Sequence, residues 1–164
     1  MDESAFHRAR DAIAPRPCAF EKAILAGCCA CSLAERQNIA EREAVACGAP
    51  GAREQCAALR DLLRQKSAFA LKLTHVDAPL PHAQEMRVEC GGLHGVQQAA
   101  APAVAVSASF EALASGAQGL PLVADVHSLV QGCAEKFGGL ANLPYSAIVQ
   151  SVVAFAIRRR QRVQ

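Results

Sequence analysis

The feature that most constrains this chain is the uneven distribution of its cysteines. Eight cysteines occur in 164 residues, and seven of them lie within the first 90. A chain of this length buries roughly 70% of its unfolded surface, so its core does not need disulfide bonds to be stable. The cysteines are therefore expected to be core side chains or ligands of a metal centre rather than a disulfide framework.

The sequence favours a cytoplasmic protein. Its N-terminus opens with Asp2 and Glu3 and contains no apolar run of the kind that a secretory signal needs. No stretch reaches the ~18 consecutive apolar residues of a membrane span. Because cytoplasmic thiols stay reduced, we expect all eight cysteines to be free of disulfide bonds.

Composition excludes two further classes of protein. With 52% hydrophobic residues the chain is too apolar to be intrinsically disordered. Its net charge of +2 gives no strong nucleic-acid signal, and aromatic residues at 4% are too few for a base-stacking platform.

The alanine-rich sequence predicts an all-α fold, an irregular bundle of five to seven helices with a Cys-rich N-terminal part. The predicted helices cover residues 4–14, 19–37 with an extension as far as 45, 51–73, 109–115, 122–137 and 145–157. Residues 82–89 are expected to form a short helix or a turn. Cys90-Gly91-Gly92 is expected to end a helix, because glycine tolerates positive φ. Two short segments, 70–76 and 86–90, are the best strand candidates.

We divide the chain into three parts. Residues 1–96 form a Cys-rich helical metal-binding part, residues 97–106 an Ala/Pro linker, and residues 107–164 a C-terminal helical part. The last helix carries an apolar stripe at helical spacing and ends in a run of arginines, Arg158, Arg159, Arg160 and Arg162. We expect this helix to contact a protein partner, although cations at a helix end also complement the helix dipole.

Six cysteines are the candidate metal ligands: Cys18, Cys28, Cys31, Cys47, Cys56 and Cys90. Several of them lie beside a proline or glycine or near the start of a helix, where backbone N–H groups are free to point at sulfur. A small core side chain gains little at such positions, whereas a thiolate ligand gains hydrogen bonds. We therefore expect four of the six to meet at one centre. Cys29 and His94 are weaker candidates, and Cys133 is expected to be a core residue.

Cys28 and Cys31 form a C-x-x-C pair, which a continuous helix would hold about 60° apart on one face. If the chain kinks at Gly27, Cys29 and Cys31 become the chelating pair instead. A dithiol–disulfide cycle of Cys28 and Cys31 is a further alternative. That chemistry ordinarily uses a C-x-x-C that follows a strand, and no strand is predicted here.

Thiolate donors select zinc, copper(I) or an iron–sulfur cluster. The candidate cysteines are widely spaced, and a cluster accepts scattered ligands more readily than one tetrahedral ion. We therefore expect a small iron–sulfur protein with a [4Fe–4S] cluster that acts in electron transfer, cluster delivery or redox sensing. Backbone N–H groups near Gly48, Gly91 and Gly92 are expected to tune the cluster. The alternatives are a metal-free helical adaptor and a structural zinc module. The sequence contains none of the common catalytic motifs, so an enzyme is not indicated.

Overall fold

The computed structural model describes residues 2–13, 16–101 and 123–156. The predicted helix at 109–115, residues 102–106 of the predicted linker and the C-terminal arginines lie outside the described residues. Residues 97–100 of that linker are helical.

The described chain is mostly helical, with one small sheet. The helices are α1 (Glu3–Ile13), α2 (Glu21–Leu25), α3 (Pro50–Ser67), α4 (His82–Met86), α5 (Gly92–Ala100), α6 (Val126–Phe137) and α7 (Tyr145–Ala154). A π-helical turn, Arg87–Gly91, joins α4 to α5, and a 3₁₀ turn, Leu140–Asn142, precedes α7. The two strands are β1 (Ala34–Ile39) and β2 (Arg42–Cys47).

The all-α prediction holds only in part, because residues 34–47 form an antiparallel hairpin. Ala34 pairs with Cys47 at the open end, and Ile39 pairs with Arg42 beside a two-residue turn. The prediction of one helix from 19 to 37 or 45 is wrong beyond Leu25. The hairpin is held by burial of β2, whose last four residues, 44–47, are all buried despite their modest strand propensity.

The sequence predicted a helix end at Cys90-Gly91-Gly92, but the helical segment continues from residue 82 to residue 100. It runs through the π-helical turn, and both glycines are buried within it. A Cβ on Gly91 would lie 2.8 Å from the carbonyl oxygen of Ser151 and 2.9 Å from Cα of Val152. The role of glycine at position 91 is therefore to permit close packing against α7, and not to form a turn. The strand candidates at 70–76 and 86–90 are also wrong, since the first is irregular and the second is helical.

The other helices occur where apolar spacing and chain breakers predicted them, but α3 stops at Ser67 instead of 73 and α6 begins at Val126 instead of 122. Helix α1 lies within one residue of the prediction, and α3 begins with a proline in its first turn. Helix α6 ends at Phe137 and is followed by Gly138, whose φ of 72° provides the left-handed cap expected of a C-terminal glycine.

One main core joins the early and late parts of the chain. Its largest fully buried side chains include Phe20, Leu59, Leu93 and Ile148. Helix α7 packs against α3, the π-helical turn and α5, so the C-terminal helices complete the core of the Cys-rich part. Within the described ranges, no helix is both long and apolar enough to span a membrane.

Candidate functional site

Four of the six candidate cysteines line a single pocket. Cys18, Cys31, Cys47 and Cys56 come from four separate segments of the chain. The cavity itself has a volume of about 20 Å³, and the space reaches about 350 Å³ only when the open solvent at its mouth is counted. Its wall is mostly apolar, and its other lining residues are Ala19, Leu33, Ala34, Ala46, Ala52, Arg53, Val126 and His127.

Backbone pairing with strand β2 brings Cys18 beside Cys47. The N–H of Cys18 donates to the carbonyl of Val45 at 2.8 Å, and the N–H of Cys47 donates to the carbonyl of Arg16 at 3.0 Å. The short segment at residues 16–18 therefore runs along β2 as a third, strand-like piece. These two hydrogen bonds fix the relative positions of two pocket cysteines that are 29 residues apart (47 − 18) in the sequence.

An irregular loop carries Cys31 to the pocket. Helix α2 ends at Leu25, and Gly27 adopts φ 79°, a conformation that favours glycine. The N–H of Ala30 then donates to the carbonyl of Val123 at 2.9 Å, and the carbonyl of Ala30 accepts the N–H of Val126 at 3.0 Å. Of the two geometries the sequence left open, the structure has the kink at Gly27.

The carboxylate of Asp125 fixes the same loop from the other side. It accepts the backbone N–H of Ser32 at 3.0 Å and the Ser32 hydroxyl at 3.2 Å and 3.1 Å. It also accepts the Ser128 hydroxyl at 2.7 Å. These hydrogen bonds, that from the Ser32 N–H first, lower the pKa of Asp125 from 3.8 to about 2.

Helix α3 supplies the fourth cysteine and a positive charge. Cys56 is buried in the second turn of α3, as expected for a residue near a helix start. One turn earlier, Arg53 donates from Nε to the carbonyl of Pro17 at 3.0 Å, which holds its side chain at the wall of the pocket. This hydrogen bond links the first turn of α3 to the segment that carries Cys18.

Burial controls the ionisation of the pocket thiols. It raises the pKa of Cys18 from 9.0 to about 11, although a hydrogen bond from the backbone N–H of Phe20 works against it. It raises the pKa of Cys56 to about 12, and repulsion from Cys18, Cys31 and Cys47 adds to the increase. Cys18 and Cys56 are consequently protonated at neutral pH. A metal ion that binds their sulfurs as thiolates must therefore displace these protons.

The other two candidate ligands, Cys28 and Cys90, do not line the pocket. They form a disulfide bond with each other, and their Cα atoms are 5.7 Å apart, within the usual range for such a bond. The expectation that all eight thiols are free is therefore wrong. A disulfide sulfur offers no thiolate to a metal. The C-x-x-C pair is therefore split, with Cys28 in the disulfide and Cys31 in the pocket wall.

The weaker candidates Cys29 and His94 do not line the pocket, although Cys29 is close enough to Cys18, Cys31 and Cys56 to be repelled by them. Cys29 is buried in the core, where burial raises the pKa of its thiol to about 12. Desolvation lowers the pKa of half-buried His94, whose Nε2 lies 3.3 Å from the side-chain nitrogen of Gln98. Cys133 is 0% exposed in the core, as predicted.

The glycine N–H groups expected to tune a metal centre are otherwise engaged. The N–H of Gly48 donates to the carbonyl of Leu33 at 2.9 Å, closing the end of the hairpin. Gly91 and Gly92 lie inside a continuous helical segment and pack against α7 and Leu63. The backbone N–H of Phe20, which the sequence did not single out, donates to the sulfur of Cys18.

Across the described ranges, no three or more His, Cys, Asp or Glu side chains are arranged to hold a metal ion. What the pocket does provide is four cysteines and an apolar wall. Sequence reasoning missed Arg53, Asp125 and His127, since each belongs to the site through the fold and none through a local motif. No known family model matches the chain, and comparisons with curated proteins and with solved structures gave no match.

Proposed function

We propose that this chain is an iron–sulfur protein whose cluster, of the [4Fe–4S] type, is held by Cys18, Cys31, Cys47 and Cys56. The observation that carries the proposal is the presence of these four thiols in the wall of one mostly apolar pocket. Four cysteine thiolates are the usual ligand set of such a cluster. Each thiolate binds a different iron atom, so the four sulfurs need not meet at a single point.

The electrostatics of the pocket suit an inorganic centre of this kind. Four thiolates confined among apolar side chains repel one another and require positive charge between them. The iron atoms of a cluster would supply that charge. The Phe20 N–H donates toward Cys18, and hydrogen bonds to sulfur are among the features that set the reduction potential of a cluster.

A cluster at this position is suited to electron transfer, cluster delivery or redox sensing. Cys18 and Cys31 are only partly buried, so one side of the pocket lies near the protein surface. A partner that exchanges electrons or iron with the site would approach there.

The test is a set of single Cys→Ser variants, produced anaerobically with iron and sulfide supplied. Wild-type protein is expected to be brown with broad visible absorption. Substitution at Cys18, Cys31, Cys47 or Cys56 should abolish or strongly reduce that absorption. Cys133→Ser is the matched control, because it replaces a buried thiol that lies outside the pocket wall.

Other outcomes decide between the proposal and its alternatives. If Cys133→Ser loses colour as completely as Cys31→Ser, the choice of ligands is wrong. A colourless protein that retains zinc in proportion to folded chain would indicate a structural zinc module. A colourless, metal-free and well-folded protein would indicate an adaptor whose cysteines serve only in packing.

A further inference from the structure

The Cys28–Cys90 pair is asymmetric in its exposure. Cys28 lies in the loop after Gly27 and is partly exposed, whereas Cys90 is 4% exposed in the π-helical turn. An external sulfur can therefore approach Cys28 but not Cys90. This is the arrangement required of an entry thiol and a resolving thiol, since exchange proceeds through a mixed disulfide on the accessible sulfur.

Contacts other than the disulfide hold the two cysteine segments together. The N–H of Cys28 donates to the carbonyl of Ala23 at 2.9 Å. The N–H of the same alanine donates to Oε2 of Glu89 at 2.9 Å, and Glu89 directly precedes Cys90. Glu89 is 3% exposed, so this connection is shielded from water. Reduction of the disulfide would leave both thiols in place, ready to form the bond again.

The backbone around Cys90 has the rare π-helical conformation and packs against helix α7. Cys90 lies in a π-helical turn, and π-turns occur within α-helices often at functional sites. The following residue, Gly91, packs directly against the backbone of α7, leaving no space for even a methyl group. Cys90 therefore keeps its position while the exposed cysteine reacts.

From these three observations we infer that Cys28 and Cys90 form a thiol–disulfide exchange site, distinct from the four-cysteine pocket, whose substrate is an external disulfide or dithiol. The inference goes beyond the proposed cluster and does not depend on it, because the two sets of cysteines do not overlap.

The reaction transfers two electrons. The Cys28 thiolate attacks one sulfur of the external disulfide, a mixed disulfide forms, and the other external sulfur leaves as a thiolate. The Cys90 thiolate then attacks the Cys28 sulfur, which forms the Cys28–Cys90 bond and releases the second external thiolate. The two protons of the Cys28 and Cys90 thiols pass to the two leaving thiolates. An external dithiol drives the same steps in reverse.

The test uses oxidised glutathione as the probe on reduced protein, with intact mass and peptide mapping as the readout. Cys90→Ser lacks the resolving thiol and should accumulate a glutathione adduct on Cys28. Cys28→Ser should form no adduct on Cys90, because that thiol is buried. Cys133→Ser should behave as wild type and re-form the Cys28–Cys90 bond without a persistent adduct.

Absence of the Cys28 adduct in folded Cys90→Ser would overturn the inference, as would equal labelling of Cys90 in Cys28→Ser. Should either variant fail to fold, equilibration of wild-type protein with mixtures of reduced and oxidised glutathione replaces it. Reversible interconversion of the mapped disulfide in folded protein supports the exchange site. A bond that opens only on unfolding identifies a structural disulfide. Exchange that persists in Cys31→Ser would separate this site from the proposed cluster.

Discussion

At the scale of single residues, the buried carboxyl of Glu89 carries the clearest pH signature. Burial raises its pKa from 4.5 to about 7, while the hydrogen bond from the Ala23 N–H and the charges of Lys22 and Arg60 oppose the increase. Lys22 and Arg64 form their ion pairs with Glu85 instead. Between pH 4.5 and about 7 the folded protein holds a proton that the unfolded chain has released. The free energy of unfolding therefore falls as the pH rises through this window.

Glu89→Gln is expected to remove this pH dependence. The amide keeps an oxygen that accepts the Ala23 N–H but bears no charge to desolvate. At pH 8 the variant should unfold with a free energy higher than that of wild type by up to about 3 kcal/mol, since each unit of pKa shift corresponds to about 1.4 kcal/mol. At pH 4 the two proteins should be nearly equal. Chemical denaturation at several pH values measures the difference.

Glu54→Gln is the matched control, because this carboxylate is exposed on α3. It should leave the dependence of stability on pH close to that of wild type. The same profile for Glu89→Gln as for wild type would show that Glu89 stays ionised throughout the window.

Local sequence context predicted the positions of some of the cysteines but not of all. Position beside a proline, a glycine or a helix start identified Cys18, Cys47 and Cys56, and all three line the pocket. The same reasoning also selected Cys90, whose neighbouring glycine serves helix packing instead. The pairing of Cys28 with Cys90 joins residues 62 positions apart, and no local pattern indicates it.

At the scale of secondary structure elements, the hairpin is the main departure from the predicted fold. Residues 34–47 are rich in alanine, glutamate and arginine, which favour helix in isolation. The turn between the strands uses Ala40 at φ 55°, without the Asn-Gly or Asp-Gly pair that ordinarily signals a hairpin. Tertiary burial of β2 decides the conformation. Helices with a clear apolar stripe or a proline start, such as α3 and α6, were predictable because local and tertiary preferences agree.

The loop that carries Cys31 depends on its attachment to the start of α6. Asp125→Ala removes the acceptor of the Ser32 N–H and of two hydroxyl groups. We expect the variant to lower the free energy of unfolding at pH 7 by about 1–3 kcal/mol and to weaken cluster retention, because Cys31 loses its anchor. The stabilisation should vanish in wild type as the pH falls from 3.8 to about 2, where Asp125 becomes protonated.

Thermal unfolding and iron retention under a chelator together measure this effect. Asp77→Ala, which changes an exposed aspartate away from the pocket wall, serves as the control. Unchanged iron retention in a destabilised Asp125→Ala would contradict a role for this anchor at the pocket.

At the scale of the whole molecule, the site exists only because distant segments converge. The Cys18 segment pairs with β2, the Cys31 loop is attached to residues 123–126, and Cys56 reaches the pocket from α3. A centre bound by all four cysteines would link these segments, so its binding free energy would contribute to folding. The sequence predicted that distant cysteines would come together, but which of them line one pocket depends on the hairpin and the kink at Gly27.

The most direct measurement is the iron and acid-labile sulfide content of folded protein after anaerobic reconstitution, with a Mössbauer spectrum of the same sample. The proposed cluster predicts about four iron and about four sulfide per chain, in one spectroscopic environment typical of a thiolate-ligated cluster. The variant in which Cys18, Cys31, Cys47 and Cys56 are all serine should contain neither. Iron without sulfide, or equal loading of that variant, would contradict the account.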